Sequence, residues 1–198
     1  MKYKYIVIEG IDGSGKTTVA NILKDILNQK GYKVFLTKEP FRSDIKEIIK
    51  KIVSEGIYDK FYGYSLACLF TSDRFLHNKV IEEYLREGYI VISDRSYHST
   101  FCYQGIYEGF NIEWLKCITK PLRKPDVVII LDVLPEIAIN RIKSARSDEF
   151  PYEKIEFLEK VRRAYLNLKN ILPDENIYII DNNGSLEKTI EEILKILL

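Results

Sequence analysis

The chain has 198 residues, a net charge of +1 and 46% hydrophobic residues, enough for one α/β domain with a buried core. So balanced a charge argues against a dominant nucleic-acid surface, which needs a strongly basic face. Three scattered cysteines, Cys68, Cys102 and Cys117, with no CxxC spacing, argue against a disulfide framework or a zinc site and fit free thiols in a cytoplasmic setting.

The first predicted element is a strand over Tyr3–Glu9. Its apolar run is too short for a signal peptide, and no later run approaches membrane-spanning length. Gly10 to Thr17 then fit the phosphate-loop pattern G-x-x-x-x-G-K-[ST]. Glycines at 10, 13 and 15 let the backbone turn its N–H groups inward, making an anion nest with the next helix N-terminus. A nucleoside triphosphate should rest on Gly10, Asp12, Gly13, Ser14, Gly15, Lys16, Thr17 and Thr18. Lys16 should reach the β- and γ-phosphates, and Thr17 should place its hydroxyl on Mg²⁺. Val19, Ile22, Leu23, Ile26 and Leu27 mark the helix that follows.

A second strand is expected over Lys33–Lys38, ending in Lys38-Glu39. In "LACLFTSDRFLH", helical spacing makes Phe70 and Arg74 neighbours at i, i+4, with His77 extending the line. A ring beside a guanidinium suits a nucleobase clamp, although a core Phe beside a solvent-facing Arg gives the same spacing. Val80, Ile81, Tyr84 and Leu85 mark a helix before the third strand, Tyr89–Asp94. In "ISDRSYHSTFCYQG", Asp94 would face the phosphate loop and support Mg²⁺ or its waters, and Arg95 would grip an anionic acceptor. A plain strand-end salt bridge is the other reading of that pair. A helix starting near Ser99 places Thr100 and Gln104 on one face, where an amide suits a base edge.

A fourth strand is expected over Asp126–Val133. "INRIKSARSDEFPYE" follows it, with Arg141, Lys143 and Arg146 in a polar segment read as a lid of about residues 141–153. A basic lid would neutralise transition-state charge and exclude water, whereas an ordinary solvated charge run would do neither. Leu158, Val161, Tyr165 and Leu168 mark another helix. A fifth strand, Asn176–Asp181, and a helix through Ile190, Ile193, Leu194 and Leu197 close the chain. Strands alternating with helices imply right-handed βαβ units and a mostly parallel sheet. Polar residues cluster at the strand ends (Glu9, Lys38-Glu39, Asp94-Arg95, Asp132 and Asp181), where ligands of such sheets bind.

No N-K-x-D guanine-reading element is present, and neither a larger chain nor a basic track suggests a motor or helicase. The ordered set "EGIDGSGKTT", Glu39-Pro40, "LFTSDR..H", "DR...ST..YQG", "LDVLPEIAINR", "FLEKVRRAYLNL" and "IYIIDNNGSLEKTI" resembles the thymidylate kinase family over nearly the whole chain. The resemblance implies a three-layer P-loop NTPase fold, a five-stranded parallel sheet with helices on both faces, in one domain over 1–198. It implies Mg²⁺-dependent γ-phosphoryl transfer from ATP to dTMP, and a homodimer packed through helices, with no nucleic-acid or membrane partner. It places Asp12 at the acceptor sugar hydroxyl and near the metal, Glu39 at the acceptor, Phe70 stacked on thymine and Arg74 bonded to it. Arg95 would hold the acceptor phosphate, and Thr100 and Gln104 the base edge. The loop lacks an Arg, so the catalytic arginine would come from the lid, Arg141 or Arg146. Relatives often carry "EPGGT" where this chain has "EPFRSD"; Arg42 is the candidate to serve there, with Lys50 or Lys51 downstream. Tyr97 stands one residue past the position of an aromatic that helps exclude a ribose 2′-hydroxyl. His77, His98 and Trp114 read as packing residues. A kinase for another acceptor, such as dUMP or a deoxynucleoside, and a P-loop ATPase without a small acceptor remain alternatives.

Overall fold

The computed structural model describes residues 2–57, 59–145 and 154–198. Among them, five strands run β1 (Tyr5–Glu9), β2 (Val34–Lys38), β3 (Ile90–Asp94), β4 (Val127–Asp132) and β5 (Ile177–Asp181). They pair all-parallel in the order β2-β3-β1-β4-β5. Each expected strand is present, one or two residues shorter at its N-terminal end, and β4 also ends one residue earlier, at Asp132.

The strands are apolar throughout because both faces are covered. Side chains still alternate between two cores. Tyr5, Val7, Val91, Val128 and Ile130 enter the first. Ile6, Ile8, Ile90, Ile92, Val127, Ile129 and Leu131 enter the second. Two helices cover the second core: α1 (Lys16–Gln29), through Val19, Ala20, Leu23 and Leu27, and α8 (Leu186–Leu197), through Ile190, Ile193 and Leu197. The first core lies under α3 (Lys60–Arg86), α4 (His98–Tyr103), α5 (Ile112–Thr119) and α7 (Ile155–Ile171). This is the three-layer P-loop NTPase architecture.

Two further helices complete the described residues. Helix α2 (Ser43–Ser54) packs on α3, burying only Ile49 fully. Helix α6 (Pro135–Ala145) starts on a proline, whose fixed φ and missing N–H suit a first helical position. Arg141, the first residue of the segment read as a lid, sits near the end of this helix. Residues 146–153, Arg146 included, lie outside the described residues. Asp59 caps α3 by accepting from the N–H groups of Phe61 and Tyr62, and Asn111 caps α5 by accepting from Trp114 N–H. No described helix is long and apolar enough to cross a membrane.

Candidate active site

The carboxyl ends of β1, β2 and β3 carry Glu9, Lys38-Glu39 and Asp94-Arg95 to one edge of the sheet, where they meet the loop between β1 and α1. The loop's geometry depends on glycine at two positions. Gly13 has φ 78°, and a Cβ there would lie 2.3 Å from the Ala138 carbonyl oxygen of α6. Gly10 has φ 140°, and a Cβ would meet the Leu131 oxygen at 2.6 Å. The loop is thus pressed against β4 and α6, which only a residue without a side chain permits. From the C-terminal side, Asn182 Nδ2 donates to Ser14 O at 2.8 Å while its Oδ1 accepts from Thr189.

Lys16 folds back under the loop. Its ammonium donates to Gly10 O (3.0 Å) and Ile11 O (2.6 Å). Burial, followed by the neighbouring Arg95 charge, pushes its pKa down to about 8. Thr17 Oγ1 donates to Asp94 Oδ2 at 2.5 Å, and the Lys38 ammonium lies 3.2 Å from both oxygens. Asp94 is 2% exposed, yet its Oδ1 has no partner among the described residues. A buried carboxylate oxygen without a partner, beside a hydroxyl, is a fitting donor set for a hard divalent cation or its waters. Gly13, Lys16, Thr17, Thr18 and Arg141 line a donor-side cavity of about 480 Å³. Arg141 Nη2 donates to Asn182 O at 2.9 Å.

A second cavity, of about 210 Å³, opens beyond Arg95. Phe70, Arg74, Thr100 and Gln104 line it, as do Glu39, Tyr103 and four residues of α2, Lys46, Ile49, Lys50 and Val53. Arg74 is 3% exposed, so it is no solvent-facing residue. Its Cζ lies 5.3 Å from the Phe70 ring centroid. Gln104 is buried, and its Nε2 has no partner among the described residues. An unpaired buried amide at a cavity wall is a candidate contact for a ligand. Glu39 lines the cavity with both carboxylate oxygens already engaged. Its oxygens are taken by Arg74 Nε (2.6 Å) and His77 Nδ1 (3.2 Å), so it supports the cavity through other side chains.

Asp12 and Arg95 line both cavities. Arg95 has φ 80°, the left-handed region that few non-glycine residues occupy, as strained residues at functional sites do. Its Nη2 donates to Asp12 Oδ1 (2.5 Å) and its Nη1 to Ser99 Oγ (3.0 Å). The Tyr103 hydroxyl accepts from Asp12 N–H and donates to Asp12 Oδ2. Beneath them Glu9, fully buried, accepts from Ser96 N–H, Ser99 Oγ and the Tyr165 hydroxyl. Burial, then the Glu9 charge, raises the Tyr165 phenol, which stays a neutral donor.

The other candidates are placed less centrally. Tyr97 is buried with its hydroxyl on Glu175 at 2.7 Å, outside the acceptor cavity; Tyr103 is the tyrosine on the cavity wall. Arg42 pairs with the exposed Asp44, while its backbone N–H and that of Phe41 donate to Asp73. Lys50 lines the cavity and Lys51 does not. Asp132 binds Arg162 bidentately, and Asp181 serves its own turn through Asn183. Sequence reasoning passed over Lys46, Ser99, Tyr103, Tyr165 and Asn182. Ser99 and Tyr103 could have been found from their i, i+4 spacing beside Thr100 and Gln104. Tyr165 sits in an apolar stripe and gave no such signal.

Residues 8–193 match the model of a family described as thymidylate kinase. Among similar proteins, the "Probable thymidylate kinase 1" of Saccharolobus solfataricus is 40% identical, the alignment covering 98% of this chain and 96% of that protein. The "Probable thymidylate kinase" of Staphylothermus marinus is also 40% identical, over 98% of this chain and 94% of its own length. That of Methanococcus aeolicus is 40% identical over 97% and 92%.

Proposed function

The chain belongs to the thymidylate kinase family, and from that premise we propose how its residues divide the ATP-dependent conversion of dTMP to dTDP. The observation that carries the reading is the pair Asp12 and Arg95, shared by a donor-side and an acceptor-side cavity. Two nucleotides seated there would bring their phosphates together at those side chains.

The reaction is in-line phosphoryl transfer without a covalent enzyme intermediate. The acceptor phosphate is already an anionic nucleophile, so positioning and charge neutralisation carry the rate. Lys16 gives up the carbonyls of Gly10 and Ile11 for the β- and γ-phosphates. Arg95, pre-oriented by Asp12 and Ser99, holds the acceptor phosphate, with Lys46 and Lys50 adding charge from α2. Asp12 also accepts from the acceptor sugar hydroxyl. Phe70 stacks on thymine. Arg74, Thr100 and Gln104 meet its polar edge. Arg141 approaches the donor side, and Arg146 is the other candidate for the catalytic arginine. Thr17, and Asp94 directly or through water, would hold Mg²⁺, which would supply charge neutralisation on the donor phosphates.

An acceptor panel tests this. With ATP-Mg²⁺ and a series of nucleosides and monophosphates, ADP formation should be stimulated by dTMP and not by thymidine. dUMP lacks one methyl group and should be poorer by about tenfold in kcat/KM. ADP release independent of any acceptor would favour the ATPase alternative.

The homodimer rests on the outer side of α3. Phe61 (68% exposed), Phe75 and Leu76 share that side with Cys68, an apolar stripe that a second copy would cover. Sedimentation should give twice the chain mass, and Phe75→Asp should shift it toward the monomer; a wild-type monomer at micromolar concentration would refute the dimer.

A further inference from the structure

His77 is fully buried, one turn of α3 beyond Arg74. The expectation was a packing residue, but both ring nitrogens have polar partners. Nδ1 lies 3.2 Å from Glu39 Oε1, and Nε2 lies 2.8 Å from Thr37 Oγ1. Burial alone would raise the Glu39 carboxyl; Arg74 and His77 outweigh it and hold it low, so it is ionised and accepts only. Nδ1 therefore carries the proton, and the Thr37 hydroxyl can donate to Nε2. From outside, the Phe41 ring stacks on the imidazole with centroids 4.6 Å apart and planes 10° apart.

The arrangement bears on Arg74. Its guanidinium has five N–H groups. Among the described residues three are spent: Nε to Glu39 Oε2 (2.6 Å), Nη1 to Thr100 Oγ1 (2.7 Å) and Nη2 to Ser96 O (2.9 Å). One hydrogen remains on each Nη for a ligand in the cavity that Arg74 lines. Glu39 takes a single guanidinium hydrogen because His77 holds its other oxygen. Without that hold, the carboxylate would turn to the bidentate pairing that arginine and carboxylate favour. It would then claim an Nη hydrogen as well and rotate the fork away from the cavity.

We propose that His77 is a positioning residue for the acceptor base: by holding Glu39 Oε1 it keeps Glu39 monodentate on Arg74 and leaves the guanidinium fork free for the base. The inference rests on the reading that dTMP is the acceptor. It concerns a residue that touches neither nucleotide.

Two substitutions separate positioning from packing. His77→Phe keeps a ring for Phe41 to stack on and removes both nitrogens. His77→Asn restores a donor near the Nδ1 position. His77→Phe should raise KM for dTMP about tenfold, the cost of one hydrogen bond from the Arg74 guanidinium to the base. KM for ATP should stay within about twofold, and His77→Asn should recover most of the loss. In an Arg74→Ala background, His77→Phe should raise KM for dTMP no further, because the residue acts through Arg74. The proposal is overturned if His77→Phe leaves KM for dTMP unchanged, if both KM values rise together, or if the full effect persists without Arg74. A lowered Tm without the KM split would likewise mean packing alone. Wild-type protein that neither binds nor turns over dTMP would instead sink the acceptor assignment on which this rests.

Discussion

Lys16→Ala is expected to lower kcat by about a thousandfold or more, the scale seen when a preorganised charge on a transferring group is removed. The side chain is 7% exposed and sits under the loop carbonyls of Gly10 and Ile11. It is thus held beneath the nest that the phosphates would enter. Its pKa of about 8 adds a second, independent signature. In the unloaded enzyme burial and Arg95 destabilise the ammonium; a bound triphosphate supplies negative charge and raises the pKa again. ATP binding should therefore take up protons between about pH 8 and pH 10, and none near pH 6, where Lys16 is already charged. Calorimetry at pH 9 in two buffers of different ionisation enthalpy measures that uptake, and Lys16→Ala should abolish it. Near-normal turnover in the variant, or unchanged proton uptake, would remove Lys16 from the donor site.

Arg74→Ala should raise KM for dTMP by about a hundredfold, within the range for truncating one partner of a buried charge contact. KM for ATP should change little, because Arg74 lines only the acceptor cavity of the two. Removing it also leaves Glu39 as a less compensated buried carboxylate, so stability should fall by about 3–5 kcal/mol. Arg74→Lys separates the effects. It keeps a charge near Glu39 but loses the planar fork, so it should retain more stability and still bind dTMP poorly. Equal losses of ATP and dTMP affinity in Arg74→Lys would contradict the base-clamp assignment.

The parts of the molecule legible in the sequence are those set by local chemistry. The five strands are β-branched apolar runs, and the phosphate loop needs glycine at fixed positions for reasons of backbone geometry alone. Phe70 with Arg74, and Thr100 with Gln104, could be paired because helical spacing is local too; only the family resemblance put the two pairs at one base. The division of the sheet into two cores was hidden, since strands buried on both faces show no alternation. Helix α2 carries apolar residues at 45, 48, 49, 52 and 53, a helical period, and was passed over amid the altered loop after Glu39-Pro40. Arg141 was read from charge alone; Pro135 is the signal that starts its helix. The least legible features are long-range hydrogen bonds. Tyr165 and Glu9 are 156 residues apart, and nothing in either segment announces the pairing. Glu39 and His77 read as a ligand contact and a packing ring; their hydrogen bond to each other, 38 residues apart, is likewise outside any local pattern.

The central claim is that this site passes a phosphoryl group between two nucleotides and not to water. Wild-type protein, incubated with ATP, Mg²⁺ and dTMP and followed by ³¹P nuclear magnetic resonance, should form dTDP and ADP in equal amounts with no inorganic phosphate beyond background. Inorganic phosphate appearing in step with ADP, with no dTDP signal, would contradict it.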